Sequence, residues 1–164
     1  MYKRQLLIRG TAMMDGYFRN AQATQSAFAN GWYHTGDLAT MDAQGTVRIV
    51  GRKKDMIRRS GENIAAAEVE SVLEQHPAVL LAAVVAVPDP LRGEEAMAFV
   101  VLRDARIRFD PEALAAFVES RLARFKVPRY WERRDDLPRT ASERVAKHLL
   151  GVLPGRGDVH DRAA

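Results

Sequence analysis

The chain is organised around the stretch Gly51-Arg52-Lys53-Lys54-Asp55-Met56-Ile57-Arg58-Arg59-Ser60-Gly61-Glu62-Asn63-Ile64. Two glycines bracket a segment of mixed charged and apolar residues, and glycine lets the backbone turn at either end because it tolerates positive φ. Met56 and Ile57 can anchor a strand, while the arginines and lysines around them present positive charge. The spacing by itself favours a solvent-exposed hairpin.

The composition is that of a globular protein with a core of ordinary size. Of the 164 residues, 47% are hydrophobic and 28% are charged, which allows a buried core and a charged surface. The net charge of +4 favours anionic partners, and nucleotides, phosphate-bearing cofactors and nucleic acids all fit it. The absence of cysteine excludes a disulfide framework, a thiol nucleophile and a cysteine-ligated zinc site.

Neither a secretory signal nor a membrane span is predicted. Residues 6–8 are the longest apolar run near the N-terminus, whereas a signal needs an apolar core of roughly 7–15 residues. Residues 79–87 form the longest apolar run of the chain, and they are far fewer than the ~20 that a membrane helix needs. We therefore expect a soluble, cytoplasmic protein.

The first third of the chain is predicted to be β-rich. Residues 6–8 and 46–50 have strand patterns, and residues 21–28 can form two helical turns. Turns are expected at residues 34–37 and 42–45. Because no helix here is long enough to cover the strands, we expect this part to be the edge of something larger, with apolar strand residues exposed.

The residues after position 64 are predicted to form an α/β unit of about a hundred residues in which strands and helices alternate. Residues 79–87 are apolar on both faces, which predicts a strand buried on both sides. Asp110 followed by Pro111 is typical of a helix start, since the carboxylate caps the helix and proline fits its first turn. The other predictions are a helix that stops before Pro77, strands at 96–102 and 130–134, a short final helix at 143–150 and a disordered tail from 151.

Three segments resemble motifs of one enzyme family. The organising stretch resembles the linker between the large and small domains of the AMP-forming acyl-CoA synthetases, also called adenylate-forming enzymes. Gly31-Trp32-Tyr33-His34-Thr35-Gly36-Asp37 is similar to the family's nucleotide-ribose motif, and Leu137-Pro138-Arg139-Thr140-Ala141-Ser142-Glu143-Arg144-Val145-Ala146-Lys147 lies where the family has its adenylation lysine. The resemblance runs from about Leu6 to Leu150. Residues 53–64 are most similar to the fatty-acid and crotonobetaine/carnitine-CoA ligase branch.

The resemblance implies an α/β (α+β) fold in two parts. Residues 1–52 would be a β-rich remnant of the large N-terminal, AMP-binding domain, and residues 53–55 the hinge. Residues 56–150 would be the small, mobile C-terminal domain, with a short mixed sheet flanked by helices, and residues 151–164 a disordered tail. The family converts a carboxylic acid, ATP and CoA into acyl-CoA, AMP and pyrophosphate through an acyl-adenylate. Its small domain rotates about the linker between the two half-reactions.

Two residues before the hinge are implied in ATP and AMP binding. Asp37 would accept hydrogen bonds from the ribose hydroxyls, as acidic residues do in dinucleotide folds. The Arg52 guanidinium would contact the nucleotide, since its fork matches phosphate or hydroxyl oxygens. Without the resemblance, Asp37 is an ordinary turn aspartate and Arg52 a solvated edge arginine.

The residues at and after the hinge are implied in the thioester step. Lys54 occupies the position whose backbone torsions change as the small domain swings. Ser60, Gly61 and Glu62 would border the channel for the pantetheine arm of CoA, and Gly61 fits because a side chain would obstruct the thiol. The alternative is a plain turn glycine. Glu68, on the following helix, is interpreted as a solvated residue.

Arg144 departs from the family pattern. The family has Gly-Lys where this chain has Glu143-Arg144, and its lysine stabilises the charge that accumulates during adenylate formation. Arginine stays charged and can do the same, although its planar fork is longer, so the change is not conservative. If the predicted helix rotated, Lys147 would be a substitute; a third possibility is that adenylation is impaired.

Two parts of such an enzyme have no counterpart in these 164 residues. There is no Ser/Thr/Gly-rich triphosphate loop ending in lysine, and the acyl pocket would lie in the large domain, which would also bring Mg2+ with ATP. The four histidines are dispersed, so no metal site is predicted: His34, His76, His148 and His160. We therefore expect the C-terminal part of a ligase that is inactive alone and whose partners are a carboxylic acid, ATP, CoA and a separately encoded N-terminal domain.

Two other functions remain open at this point. The chain can be a stand-alone, non-catalytic module that kept a CoA- or nucleotide-binding surface and serves in interaction. A nucleic-acid binder is the weaker rival, because the clustered aromatics that stack single-stranded bases are missing among the cations. The acyl substrate cannot be read from the sequence.

Overall fold

The computed structural model of the protein describes residues 4–151 and 158–163. The chain divides into two compact units, and the division falls between Lys54 and Asp55. Each unit has its own sheet. Among the described residues, no helix has both the length and the apolar character needed to cross a membrane.

The first unit is an antiparallel sheet built around one long strand. Strand β3 pairs with β1 and β4, and also with the short β2. The elements are β1 Arg4–Ile8, α1 Ala21–Ala27, β2 Phe28–Ala29, β3 Trp32–Met41 and β4 Val47–Arg52. Apolar strand residues are exposed as expected, with Ile8 at 41%, Val47 at 47% and Ile49 at 62%.

The turn predicted at residues 34–37 is wrong. These residues lie inside β3, which is paired on one side with β1 and on the other with β4. The strand continues through this segment, although its pairing with β1 is irregular between His34 and Leu38. Gly36, with φ +76°, is the irregular point of the strand, and only glycine adopts that conformation without strain.

The second unit is a mixed sheet with helices, and the predicted α/β (α+β) class is confirmed. Strand β8 is central: it pairs antiparallel with β7 and parallel with β9, while β10 extends the sheet beyond β9. The β5–β6 hairpin joins at the start of β8, where Arg59 pairs with Gly93. The elements are β5 Met56–Arg59, β6 Glu62–Ala65, α2 Ala66–Leu73, β7 Val79–Asp89, β8 Gly93–Leu102, α3 Pro111–Glu119, β9 Tyr130–Arg134 and β10 Val159–Asp161.

The two faces of this sheet pack against different elements. Alternate residues of β8 point to opposite faces, so Ala96, Ala98 and Val100 contribute to the cluster that includes helices α2 and α3. Met97 and Phe99 contribute to a second cluster, which includes side chains from the C-terminal segment. The second cluster is completed by Ala83, Val87, Val101, Tyr130, Leu137 and Leu150.

The C-terminal segment differs from its prediction in two places. The helix predicted at residues 143–150 is wrong: only the 3-10 turn Lys147–Leu149 is helical. The residues before it form a hairpin loop, since the Ala146 amide donates to Pro138 and the Thr140 amide donates to Arg144. The disordered tail is also wrong for residues 158–163, which include β10; residues 152–157 lie outside the described part of the chain.

Candidate functional site

Asp37 and Arg52 form an ion pair across the first sheet. Their Cα positions face each other in the pairing of β3 with β4, and Arg52 Nε donates to Asp37 Oδ1 at 2.9 Å. The aspartate side chain is 20% exposed and the arginine 47%, so solvent and ligands reach both. The sheet therefore brings together the two residues that were assigned to the nucleotide.

A local hydrogen-bond network orients Asp37. The Thr35 hydroxyl donates to the Leu6 carbonyl at 2.9 Å and accepts from the Asp37 amide at 3.0 Å. Nearby on β3, the Tyr33 hydroxyl lies 3.3 Å from the Tyr17 hydroxyl, and this contact raises the pKa of Tyr33 above its ordinary value. The tyrosine is therefore neutral at physiological pH. A carboxylate and a cation side by side, with a neutral hydroxyl on the same strand, can hydrogen-bond a ribose.

Lys54 lies in the 3-10 turn Lys53–Asp55, which separates the last strand of the first unit from the first strand of the second. Its side chain is exposed. The ladder of β3 and β4 ends at Arg52 and that of β5 and β6 begins at Met56, so the three residues of the turn lie between the two ladders.

Ser60 and Gly61 form the two-residue turn of the β5–β6 hairpin. Their φ values are +49° and +84°, as in the type I′ turns that match the twist of paired strands. A methyl group built on Gly61 would meet no atom within 4 Å, so the glycine faces open space. Ser60 and Glu62 are exposed beside it. The segment assigned to the CoA channel is thus an open hairpin tip.

The turn is tied to the centre of the sheet by a residue that the sequence analysis missed. Glu95, on β8, is 1% exposed and accepts a hydrogen bond from Arg59 Nε at 2.8 Å. The Ser60 amide also donates to the Arg92 carbonyl at 2.9 Å. The only signal in the sequence is a carboxylate directly before an apolar strand.

Arg144 lies in the exposed hairpin loop between Pro138 and Ala146. Its Nε donates to the Ser142 hydroxyl at 3.3 Å, and the Ser142 and Thr140 hydroxyls are 3.0 Å apart. Glu143 has φ +60°, a left-handed conformation that is strained for a residue with a Cβ. Glycine suits this position, which explains physically why the family pattern has Gly-Lys here. The loop presents a guanidinium to solvent.

Lys147 is not on a helix with Arg144. Its Nζ lies 2.5 Å from Glu70 Oε1 on helix α2, and its side chain is only 22% exposed. Helix α2 makes a second such contact, since Lys126 Nζ lies 2.7 Å from Glu68 Oε1. The interpretation of Glu68 as simply solvated is therefore wrong.

The chemistry of these residues is binding and electrostatic. Within residues 4–151 and 158–163, no three His, Asp or Glu side chains are grouped so that they could hold a metal ion. The hydrogen bonds and ion pairs of the described residues do not join the β5–β6 turn to the loop of Arg144. Each assigned group is therefore supported by its own local contacts.

Comparison with known proteins identifies the family. The model of the AMP-binding enzyme C-terminal domain matches residues 68–144. The long-chain-fatty-acid–CoA ligase of Escherichia coli O157:H7 is 41% identical over 159 residues, which is 97% of this chain and 28% of that enzyme. The 2-succinylbenzoate–CoA ligase of Bacillus velezensis is 40% identical over 149 residues, 91% of this chain and 30% of the relative.

A solved structure agrees with these relatives. The o-succinylbenzoate CoA synthetase of Bacillus subtilis, in complex with its acyl-adenylate intermediate, has a TM-score of 0.85 and 35% identity, over 93% of this chain and 31% of that one. The chain thus spans less than a third of the length of each of these three relatives. It belongs to the AMP-forming acyl-CoA synthetase family, and its second unit carries the AMP-binding enzyme C-terminal domain.

Proposed function

We propose that this chain is the C-terminal part of an ATP-dependent acyl-CoA ligase and works together with a large adenylating domain. The observation that carries the proposal is the partly exposed Asp37–Arg52 pair on β3 and β4, the second of which leads into the linker. Relatives that are named as CoA ligases cover almost all of this chain, which supports the reaction class. We also propose that the reaction takes place in the cytoplasm.

The first half-reaction would use three charged residues of this chain. A carboxylate oxygen of the acid attacks the α-phosphorus of ATP, and pyrophosphate leaves. Asp37 accepts hydrogen bonds from the ribose hydroxyls, and Arg52, which is ion-paired with it, contacts the nucleotide. Arg144 supplies positive charge near the α-phosphate as negative charge accumulates, which is electrostatic stabilisation and not proton transfer.

The second half-reaction would use the hairpin tip. The CoA sulfur attacks the acyl carbon of the adenylate, the thiol proton is lost, and AMP leaves. Torsion changes at Lys54 bring Ser60, Gly61 and Glu62 to the thiol's path. The open space at Gly61 suits that role, because any larger side chain would narrow the channel.

Mg2+ does not fit this part of the enzyme. The described residues contain no group of three carboxylates or histidines that could hold it. The metal that accompanies ATP would be bound by the large domain, together with the triphosphate and the acyl group, so acyl specificity would also be decided there.

The test replaces the corresponding 159-residue stretch of the Escherichia coli O157:H7 long-chain-fatty-acid–CoA ligase with this chain. We expect acid-dependent pyrophosphate release and acyl-CoA formation by the chimera, and neither reaction by the 164-residue chain alone. Because a chimera can misfold, binding of AMP to the chain alone is followed by NMR, with Asp37→Asn as the control. A folded chimera without activity, together with no AMP-induced shifts, would favour the non-catalytic interaction module. Acid-dependent pyrophosphate release by the chain alone would contradict its need for a large domain.

A further inference from the structure

Glu95 is a buried carboxylate that has no role in the function proposed above. It is flanked by two guanidinium groups, since Arg59 Nε lies 2.8 Å from Oε2 and Arg92 Nε lies 3.4 Å from Oε1. Burying an ionised carboxylate is unfavourable unless cations and hydrogen bonds surround it. Oε2 accepts the hydrogen bond of Arg59, whereas Oε1 is buried and has the ion pair with Arg92 but no hydrogen bond, so the site depends on the charges of both arginines.

The two partners of Glu95 flank the β5–β6 turn. Arg59 is the last residue of β5, directly before Ser60. Arg92 contacts the turn through its backbone, because its carbonyl accepts the Ser60 amide. Glu95 thus contacts the side chains of two residues that border the hairpin tip.

The neighbouring Glu94 holds the same strand in a different way. Glu94 Oε2 accepts a hydrogen bond from the Arg58 backbone amide at 2.6 Å. An amide oxygen can accept that bond as well as a carboxylate can. The contact of Glu95 with two guanidinium groups, in contrast, needs the negative charge of a carboxylate.

Glu95 also shares a sheet face with the loop of Arg144. Strand alternation places it on the face of Met97 and Phe99, against which Val145 packs. The strands of the hairpin contribute Ile57 and Ile64 to the helix-side cluster, so Glu95 contacts the hairpin from the other face of the sheet.

We propose that Glu95 is a positioning residue for thioester formation, which fixes the β5–β6 turn through Arg59 and Arg92. The inference rests on the proposed role of that turn at the path of the CoA thiol. A displacement of about 1 Å in a group that orients reactants can lower a rate by about 10²-fold. Glu95 would therefore act on the second half-reaction and leave the first unchanged.

The first test measures amide exchange of Ser60 in the 164-residue chain. Glu95→Gln should raise that exchange rate by about tenfold, because a neutral amide cannot hold two cations and the turn opens locally more often. Arg59→Met should do the same, and Glu95→Gln should add little in its presence. Glu94→Gln is the matched control. An equal rise in the control, or no rise in Glu95→Gln, would overturn the proposal.

The second test separates the half-reactions in the chimeric ligase. Glu95→Gln should slow acyl-CoA formation from preformed acyl-adenylate by about 10²-fold, with adenylate formation unchanged. Equal losses in both steps would mean a merely structural role and would refute the inference. A loosened turn with a normal thioester rate would instead refute the proposed function of the turn. If Glu95→Gln does not fold, Arg59→Lys replaces it. This variant keeps the positive charge but loses the guanidinium that donates to Glu95, so it should also slow the thioester step and leave adenylation unchanged.

Discussion

Lys147 Nζ lies 2.5 Å from Glu70 Oε1, and the same oxygen accepts the Val84 amide at 2.6 Å. The Glu70 carboxylate on helix α2 thus forms an ion pair with the C-terminal segment and accepts a hydrogen bond from a backbone amide of β7. An ammonium held in this way cannot move to the phosphate without leaving a charged group on α2 unpaired. Of the two candidates, Arg144 and Lys147, Arg144 is the one that is exposed.

Arg144→Ala is expected to impair adenylation in the chimeric ligase by ~10²–10³-fold, which is the usual cost of removing one preorganised donor to a developing oxyanion. Arg144→Lys should preserve the step if charge is all that the position supplies. Acid-dependent pyrophosphate release measures the rate, and acyl-CoA formation from preformed acyl-adenylate should be nearly spared.

Lys147→Ala is the matched control for that prediction. It should lower the midpoint of thermal unfolding, because Glu70 loses its partner, while the adenylation rate per folded enzyme stays unchanged. If Arg144→Ala leaves adenylation intact and Lys147→Ala abolishes it, the roles of the two residues are reversed.

Asp37→Asn tests the nucleotide site in the isolated chain. The change keeps the size of the side chain but removes the charge that Arg52 pairs with and that would accept the ribose hydroxyls. Hydrogen bonds to charged groups contribute about 1.5–3 kcal/mol, so AMP affinity should fall by about 10–150-fold. Titration by NMR or calorimetry measures it. Asp42→Asn, at the turn before β4, should leave AMP affinity unchanged. An equal loss of AMP affinity in this control would contradict the role of Asp37 in ribose binding.

Gly61→Ala has a natural control in Gly45→Ala. Both glycines have φ +84° and both face open space, so each substitution should cost a similar ~1–2 kcal/mol of backbone strain. Only Gly61 lies at the proposed path of the thiol. In the chimera we expect the KM for CoA to rise and thioester formation to slow in Gly61→Ala alone. Similar kinetics in the two variants would make Gly61 an ordinary turn residue.

Local signals predicted the parts of the fold that are held by local contacts. The helix start at Asp110 and Pro111 is confirmed, because the aspartate caps α3 by accepting the Ala113 amide. The apolar run from Val79 is confirmed as a strand of the central sheet. The site residues Asp37 and Arg52 could be named only through resemblance, although their pairing is visible in the strand register.

Long-range contacts account for the features that were missed. Arg59 and Glu95 are 36 positions apart, and no periodicity links them. Strand β10 has no pattern of its own, since it is added to the edge of β9 by pairing. The predicted helix at residues 143–150 has suitable helix formers, but the burial of Val145 and Leu150 against the second cluster and the closed loop outweigh propensity.

Glu143→Gly should stabilise the second unit. The glutamate holds φ +60° at an exposed position, and a left-handed conformation costs residues with a Cβ about 1–2 kcal/mol. Part of that gain is offset by the greater freedom of glycine in the unfolded chain, so we expect a net increase of about 0.5–1 kcal/mol in the free energy of unfolding. Urea titration measures it. Glu119→Gly, at the end of α3, should destabilise by a similar amount, and a loss in both variants would contradict the strain argument.

The last prediction concerns the docking of strand β10 by Asp161. Its two carboxylate oxygens accept hydrogen bonds from Arg129 at 2.8 and 2.9 Å, and this contact lowers the pKa of Asp161 below the ordinary value. Because the folded-state pKa is the lower one, the stabilisation is fully present above the unfolded pKa of about 3.9 and is lost as the pH falls through the folded value. Asp161→Asn should therefore lower the free energy of unfolding by about 1–2 kcal/mol at pH 7. At an acid pH below the folded-state pKa of Asp161, the substitution should have little effect. Asp135→Asn, at an exposed position after β9, is the control, and urea titrations at the two pH values measure the difference. A difference between the wild type and Asp161→Asn that is as large in acid as at pH 7 would show that the carboxylate charge does not hold the strand.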